Sequence, residues 1–388
     1  MKQQMRKTAD AIIIGAGSIG VPLALHLANR GLKTIILEQG ASIGQGSNKR
    51  AIGGIRATHS DPAKIKLCLR SIEVFSSWAE MYGEDIEWYR GGYCFVAYRD
   101  EEAALIQQVV VEQQGFGLNI HWLDRSTLLD AVTDLNPDGL IGGSFSPDDG
   151  SASPLLAIHA FSRQAKLAGA EFALNESVQR IVMHGQTVKG VITDLTEYEA
   201  PLVINCAGAW AAQIASMAGI NIPVKPDAHE AAVTEPVAHF LDPMIVDIQP
   251  SPGSSNFYFY QHATGQVFFC LTPDPNQWGF LTEETSEFLP MACRRLLNVM
   301  PRLSDLRVRR TWRGLYPMTP DGCPLVGWAE GLEGFFLAAG MCGQGFMLGP
   351  GLAEMVTRMV LGEMTSEDKK IADQFSPYRK FASEEKLK

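Results

Sequence analysis

Gly15, Gly17 and Gly20, with Glu38 farther on, are the residues whose type and spacing point most directly to chemistry. A diphosphate needs a backbone that can come close and donors aimed at it, and glycines at this spacing allow both. Gly15 permits a sharp turn out of a strand, Gly17 lets the main chain approach a pyrophosphate, and Gly20 lets a helix pack closely on the strand. Ser18 and Ile19 lie between them, where the N–H groups and positive dipole end of the helix would face the anion. Glu38, followed by Gln39, stands about 20 residues after the glycines; a carboxylate there accepts from both ribose hydroxyls of an adenosine and repels a 2′-phosphate.

Those residues require a strand, a turn, a helix and a second strand, and the sequence supplies each. AIII at 11–14 reads as a buried parallel strand, the helix runs to Asn29, Gly31 ends it, and Lys33 to Leu37 forms the second strand. The unit predicts a bound dinucleotide but does not by itself separate NAD from FAD.

The 388 residues suffice for a large core and suggest two domains, or one elaborated by another. With 46% hydrophobic and 20% charged residues, the composition is that of a soluble globular protein. A net charge of −10 argues against nucleic acid as a partner, because phosphate backbones call for a basic face. No run approaches the roughly 20 apolar residues of a transmembrane segment. The opening MKQQMRKTAD leads into the first strand without room for a signal peptide. The cysteines are scattered with no CxxC pair, which predicts reduced thiols, no metal site and a cytoplasmic location.

After Glu38 comes QGASIGQGSNKRAIGGIRATHSDP, too rich in glycine for a regular element and long enough to be functional. Ile65, Leu69, Ile72, Phe75 and Trp78 then recur at helical spacing over 63–82, opened by Asp61 and Pro62. Short strands are predicted within 86–98 and 118–145, around a helix at about 101–114. A helix at 154–167 precedes strands at about 170–174, 177–184 and 187–193, and PLVINC at 201–206 is a further buried strand. Strand-like alternation returns over 225–315, as in NFYFYQH and GQVFFCL, with one helix at about 284–299. The chain then gives a strand, a glycine loop and a helix closed by Gly362. This order predicts an α/β protein. A Rossmann-like nucleotide domain is assembled from 8–85, 150–224 and 316–365, an α+β second domain with a mixed sheet comes from 86–149 and 225–315, and 366–388 is a partly exposed tail.

Three glycine-rich features occur in order: the amino-terminal fingerprint, NCAGAWA at 205–211 and GMCGQGFMLGPGLAE at 340–354. Together they resemble the FAD-dependent D-amino-acid oxidase superfamily over essentially the whole chain. RRTWRGLYPMTPDGCPLVG at 309–327 is most similar to the sarcosine oxidase, glycine oxidase and proline dehydrogenase β-subunit branch, with Trp312, Gly314, Pro317, Thr319, Pro320, Asp321, Pro324 and Gly327 in register. Physics favours FAD independently. FAD is long, so once its diphosphate sits on the first helix, distant loops must hold the isoalloxazine ring. The loop carrying Gly340, Gly343, Gln344, Gly345, Phe346 and Met347 precedes a helix and would direct N–H groups at the ring's electron-rich pyrimidine edge.

The resemblance implies that Gly46, Ser47, Asn48, Lys49 and Arg50 pass the ribityl and diphosphate, and that Gly53, Gly54 and Ile55 pass close to the ring. It implies main-chain contacts to adenine at Val178, which as a β-branched strand residue could equally be core, and further cofactor contacts at Ala207, Gly208 and Trp210. The implied reaction is oxidation of the C–N bond of a secondary or N-substituted amino acid of the sarcosine, proline or opine type. Hydride passes to flavin N5 and an imine leaves; the cofactor does the redox work and the protein orients. The substrate carboxylate requires a cation, ideally the planar fork of arginine. Arg56, after the glycine loop, matches a carboxylate-binding arginine of sarcosine oxidases and is the first candidate; Arg313 is the second. Tyr258, Tyr260 and His262 alternate on one apparent strand, so one face is either turned to a pocket or part of the core.

Departures from the branch are informative. Tyr316 stands where glycine oxidase and D-amino-acid oxidase place an arginine, which disfavours a primary amine held in their way. Gly314 replaces the cysteine to which monomeric sarcosine oxidase attaches its flavin, so non-covalent FAD is expected. Met347 replaces a substrate-binding lysine, and no lysine occurs from Pro226 to Asp368, where a lysine would promote oxygen reduction. A dehydrogenase, or a subunit passing electrons to a partner or other acceptor, is therefore expected over a fast oxidase. The alternatives are a 2-hydroxy-acid dehydrogenase of the same superfamily, with His59 or His262 as base, and a non-catalytic FAD-bearing relay subunit of a larger complex.

Overall fold

The computed structural model describes residues 5–382 and Glu385. Its backbone divides into two units, one made from the chain up to Lys49, Pro154–Pro226 and the chain from Tyr316, the other from Arg50–Ser153, Asp227–Leu315 and Glu385.

In the first unit a six-stranded sheet has the order Leu325–Trp328, Phe335–Ala339, Leu202–Asn205, Ala11–Ile14, Thr34–Glu38, Glu171–Leu174. All neighbours run parallel except the first two. The central strands are mostly apolar because both faces are covered, one of them in part by strands that carry Val178, Ile181, Val188 and Val191, and Ile12, Ile13, Val203 and Phe336 are wholly buried. The helix Gly20–Asn29 packs against Pro154–Leu167 and Gly345–Val360. A four-stranded sheet, in the order Met5–Thr8, Thr196–Glu199, Thr187–Thr193, Val178–His184, completes the unit.

The region after 365 is a packed element up to Ala382. Thr365 and Asp368 form a reciprocal capping box that starts the helix Ser366–Gln374, Phe375 is fully buried, and Arg379 grips both carboxylate oxygens of Asp321 at 2.8 Å. Residues 383, 384 and 386–388 of the expected tail lie outside the described residues.

The second unit is built on an eight-stranded sheet with the order Val308–Met318, Lys225–Pro236, Gln266–Pro273, Ser254–Gln261, Met244–Asp247, Tyr93–Ala97, Gly142–Ser146, His121–Asp124. Pleating sorts its residues onto two faces. Cys94, Val96, Ile245, Phe257, Phe259, Val267, Phe269 and Leu271 form a core with the helix Phe288–Val299. Tyr93, Phe95, Met244, Val246, Tyr258, Tyr260, Phe268 and Trp312 alternate with them and belong to the opposite face.

Residues 50–85, grouped above with the nucleotide domain, pack with this second unit. Gly54–Ile55 pairs with Gly150–Ser151, Ala152 donates to the Gly53 carbonyl at 3.0 Å, and the helix Pro62–Tyr82 buries Phe75 and Trp78. Two element boundaries also differ from expectation. A helix, Arg125–Ala131, interrupts the stretch expected to be all strand, because the Asp124 side chain caps it by accepting from Thr127 N–H at 2.8 Å. The helix expected from 284 starts at Phe288, since Glu230 holds Thr285 through its N–H at 2.8 Å and its hydroxyl at 2.6 Å.

Candidate functional site

Parallel pairing brings the carboxyl ends of four strands in the first unit to one edge: Ile14, Glu38, Asn205 and Ala339. The three glycine-rich turns therefore meet there although more than half the chain separates them. Gly15 has φ +106°, and a Cβ on it would stand 2.6 Å from the Cys206 carbonyl oxygen. Gly20 abuts the Gly15 carbonyl. Nothing lies within 4 Å of where a Cβ on Gly17 would stand, which leaves a cradle over that peptide. The helix behind it starts after Ile19 with no side-chain cap; Val21 N–H is taken by the Gly17 carbonyl and Pro22 has none, so the donors at this end lie at Ser18, Ile19 and Gly20. Glu38 accepts Ala16 N–H at 3.0 Å and Gly40 N–H at 2.7 Å, one on each oxygen, and each oxygen keeps further acceptor capacity.

The second bare helix start adjoins the first. Gly345–Val360 follows Gln344 with no side-chain cap, and Gly349 is pressed on the Ser18 carbonyl. Among the described residues the buried Oε1 of Gln344 has no hydrogen-bond partner. Gly343 has φ +82° and lies flat against the Tyr316 ring, which a side chain would overlap. Phe346 is buried, and Met347 half-buried. Gly46 lies near the Trp210 ring, Gly208 takes φ +54° with open space around its Cα, and Ala207 donates to the Asn205 side chain at 3.2 Å. Ser47 is half-buried and Gln39 exposed. The Val178 side chain belongs to the core of this unit. An uncapped helix pair, a cradle at Gly17 and an orphaned amide oxygen together fit a long dinucleotide with a diphosphate and an N–H-bearing ring.

In the second unit the open sheet face gathers the other candidates. Tyr260 is buried and donates its hydroxyl to the Ile52 carbonyl at 2.5 Å; Trp312 donates its indole N–H to the Arg50 carbonyl at 2.8 Å. Side chains of the sheet thus fix the 50–52 segment that leads to Gly53 and Gly54. A Cβ on Gly314 would stand 3.0 Å from the Arg50 side chain, and one on Gly54 would strike the Tyr93 hydroxyl and the Met244 methyl. Ile55 is fully buried. Tyr258 is half-buried on the same face.

Arg56 belongs to this face. It is 7% exposed, donates Nη1 to the Thr58 carbonyl, and sets its guanidinium 5.4 Å from the centre of the Phe95 ring. Asp149 stands opposite it, 1% exposed, accepting Ala57 N–H at 2.8 Å. Burial pushes the Asp149 carboxyl up to about 7, against the pull of that N–H and of Arg56. Lys64 and Glu385 form a buried ion pair: Lys64 is 0% exposed, and Glu385 accepts from its ammonium at 3.1 Å and from Ser60 N–H at 2.8 Å. Despite its own burial, Glu385 is held far below the usual carboxylate range by the Lys64 ammonium.

Arg313 is placed differently from the sequence expectation. It alternates with Trp312 and Gly314, so it points to the helix-covered face, where Nη1 donates to the Glu283 carbonyl at 3.2 Å. The two histidines also fail as open bases. His59 is wholly buried and kept neutral, with burial and Arg56 lowering its pKa, and its Nε2 meets Cys68 Sγ at 3.5 Å. His262 engages Thr264 Oγ1 at 2.8 Å and Glu87 at 3.3 Å. Asp149, Tyr93 and Phe95 went unnoticed in the sequence. They come from two distant segments: the pairing of Gly54–Ile55 with Gly150–Ser151 brings Asp149 to Arg56, and the strand Tyr93–Ala97 brings the Phe95 ring.

The fold is shared with known proteins. L-proline dehydrogenase from P. horikoshii matches with 30% identity and a TM-score of 0.89, covering 97% of this chain and 98% of that one. Glycine oxidase from Geobacillus kaustophilus, at 24% identity and a TM-score of 0.87, covers 96% and 99%. Among curated relatives, mitochondrial sarcosine dehydrogenase of Mus musculus is 24% identical over 386 residues, which is 94% of this chain and 41% of that protein. The chain thus spans less than half the length of that relative. The model described as FAD dependent oxidoreductase matches residues 10–359, from the strand Ala11–Ile14 into the helix Gly345–Val360. FAD is accordingly the dinucleotide that the glycine edge is shaped for, and the chain belongs to the FAD dependent oxidoreductase family.

Proposed function

We propose that the protein oxidises the C–N bond of a secondary or N-substituted amino acid of the sarcosine, proline or opine type, as a dehydrogenase with non-covalently held FAD. The observation that carries this reading is Arg56, a buried arginine on an aromatic sheet face, flanked by Tyr93, Phe95 and Tyr260 and two residues from Gly54. Its guanidinium binds the substrate carboxylate, and anchoring on the Thr58 carbonyl and the Phe95 ring fixes the fork before substrate arrives. Tyr258, Phe268 and Trp312 line the face with apolar surface that favours a neutral amine. The first turn of the helix Gly345–Val360, with Gln344 Oε1, would hold the polar edge of the ring, and the turn at Ser18 and Ile19 the diphosphate. When bound, FAD supplies the two-electron acceptor.

Gly314 offers no thiol for attachment, and the stretch without lysine from Pro226 to Asp368 supports slow reaction with oxygen. The names of the relatives, proline and sarcosine dehydrogenase, agree with that class. The 2-hydroxy-acid alternative loses support, because His59 is buried and His262 is held by Thr264 and Glu87. Anaerobic mixing of the purified holoprotein with sarcosine, L-proline, an opine, glycine and 2-hydroxyglutarate is the test. Bleaching of the flavin band by a secondary amino acid, with slow return in air and fast return with an artificial acceptor, is expected. Bleaching only by 2-hydroxyglutarate, or by none of the panel, overturns the reading.

A further inference from the structure

The antiparallel ladder sets Gly54 opposite Ser151 and Ile55 opposite Gly150, so the next pair outward is Arg56 and Asp149. Asp149 is fixed at both ends of its residue: its carbonyl accepts Gly92 N–H at 2.9 Å and its Oδ1 accepts Ala57 N–H at 2.8 Å. Its Oδ2 is buried and makes no hydrogen bond of good geometry among the described residues, although the Ser146 and Thr58 hydroxyls lie close enough to favour its charged form. A rigid backbone thus holds one dry carboxyl oxygen beside the guanidinium assigned above to the substrate carboxylate. Two anions cannot share that cation at full charge in a water-poor environment.

We propose that Asp149 is a proton-linked counter-ion of Arg56: when a substrate carboxylate engages Arg56, Asp149 takes one proton from solvent, so that ligand binding is coupled to proton uptake. The proposal rests on the reading that Arg56 receives the carboxylate. No electrons move; a carboxylate becomes a carboxylic acid and its negative charge is replaced by that of the ligand.

The surroundings leave Asp149 as the group that answers. Tyr93 from the strand Tyr93–Ala97 and Cys68 from the helix Pro62–Tyr82 are pushed far up by burial and stay uncharged. Tyr260 is likewise pushed up and neutral. His59 stays neutral, and Lys64 is matched by Glu385. Thr58, Ser146 and Gln113 carry no charge. With its carboxyl poised at about 7, Asp149 is partly ionised at neutral pH. A neighbouring anion raises a carboxyl pKa, so the uptake occurs as pH rises above about 7 and vanishes well below it, where the proton is already present.

Pyrrole-2-carboxylate is a suitable probe, because its ring nitrogen does not titrate in this range. Its binding to the FAD-loaded protein is measured calorimetrically in buffers of different ionisation enthalpy, from about pH 6 to about pH 8.5. Wild type is expected to take up a fraction of a proton at the alkaline end and none at the acid end, with affinity falling on the order of tenfold across the range. Asp149→Asn, which can still accept Ala57 N–H, is expected to bind with no uptake and a flat pH profile. The proposal is overturned if wild type shows no buffer-dependent heat, or if Asp149→Asn shows the same uptake as wild type. Arg56→Gln separates the two readings. If it binds the probe as tightly as wild type, the carboxylate reading fails; if it loses the probe while wild type takes up no proton, the counter-ion proposal alone fails. The wild-type measurement needs no variant and decides the matter should Asp149→Asn not fold.

Discussion

At the carboxyl edge of the nucleotide unit the groups turned outward are main-chain N–H donors and glycine Cα atoms, whereas the open face of the second unit is made of side chains and buried charge. The first arrangement costs little electrostatically, since uncapped helix starts are dipoles and carry no net charge. The second places Arg56, Asp149, Lys64 and Glu385 out of water and must balance them pair by pair. The difference teaches where each ligand's identity is encoded. A diphosphate would be recognised by backbone shape, which a single Cβ can spoil, and a substrate carboxylate, on the reading proposed above, by one cation whose charge its neighbours balance.

The sharpest way to break the comparison is Gly15→Val. With φ +106° and a Cβ 2.6 Å from the Cys206 carbonyl, the turn cannot keep its path. Loss of essentially all bound flavin is expected, read from the ratio of flavin to protein absorbance after purification. Retention of a full complement would mean that the glycine edge is not the anchor.

Arg56→Gln comes next. The flavin spectrum should be unchanged while kcat/KM for the amino acid falls by about 10³-fold, roughly 4 kcal/mol of lost carboxylate binding. Arg313→Gln, on the opposite face, should leave kcat/KM within about threefold while lowering stability by about 1 kcal/mol. Steady-state kinetics of the two variants side by side distinguish the faces, and an equal loss in both would erase the distinction drawn by pleating.

The smallest catalytic effect is expected at Glu385→Gln, which leaves the Lys64 ammonium buried without its counter-charge. Breaking such a pair costs about 3–5 kcal/mol of stability, and Lys64→Met combined with Glu385→Gln should recover part of it. Denaturant midpoints measure both. Because the folded carboxyl is held low, the pair's contribution is full above about pH 4.3 and is lost as pH falls below that value. A wild-type midpoint that does not move in acid relative to Glu385→Gln would show that the pair contributes nothing.

Much of the nucleotide edge was legible in the sequence because glycine announces backbone conformation directly. Gly15, Gly20 and Gly343 carry the close approaches or positive φ that their spacing suggested. Pleating likewise let Tyr258, Tyr260 and His262 be put on one face from alternation alone. What escaped was pairwise. Asp149 sits in a turn-like SPDDGS segment whose importance depends on strand register with Gly54–Ile55, and register between distant segments leaves no local trace. The face of Arg313 was illegible for a related reason: its neighbours Trp312 and Gly314 fix that face, and their contacts with Arg50 reveal which one it is. The last segment read as partly exposed because its composition is charged, and what its composition did not show is that Arg379 and Glu385 use those charges against Asp321 and Lys64.

The order of strands in the nucleotide unit also sets a timetable for synthesis. The strand Phe335–Ala339 lies between Leu325–Trp328 and Leu202–Asn205, so the edge of Leu202–Asn205 stays unpaired until most of the chain has left the ribosome. Until then, apolar strand surface made early in translation waits for a partner made near its end. That interval exposes the nascent protein to aggregation and to a need for chaperones.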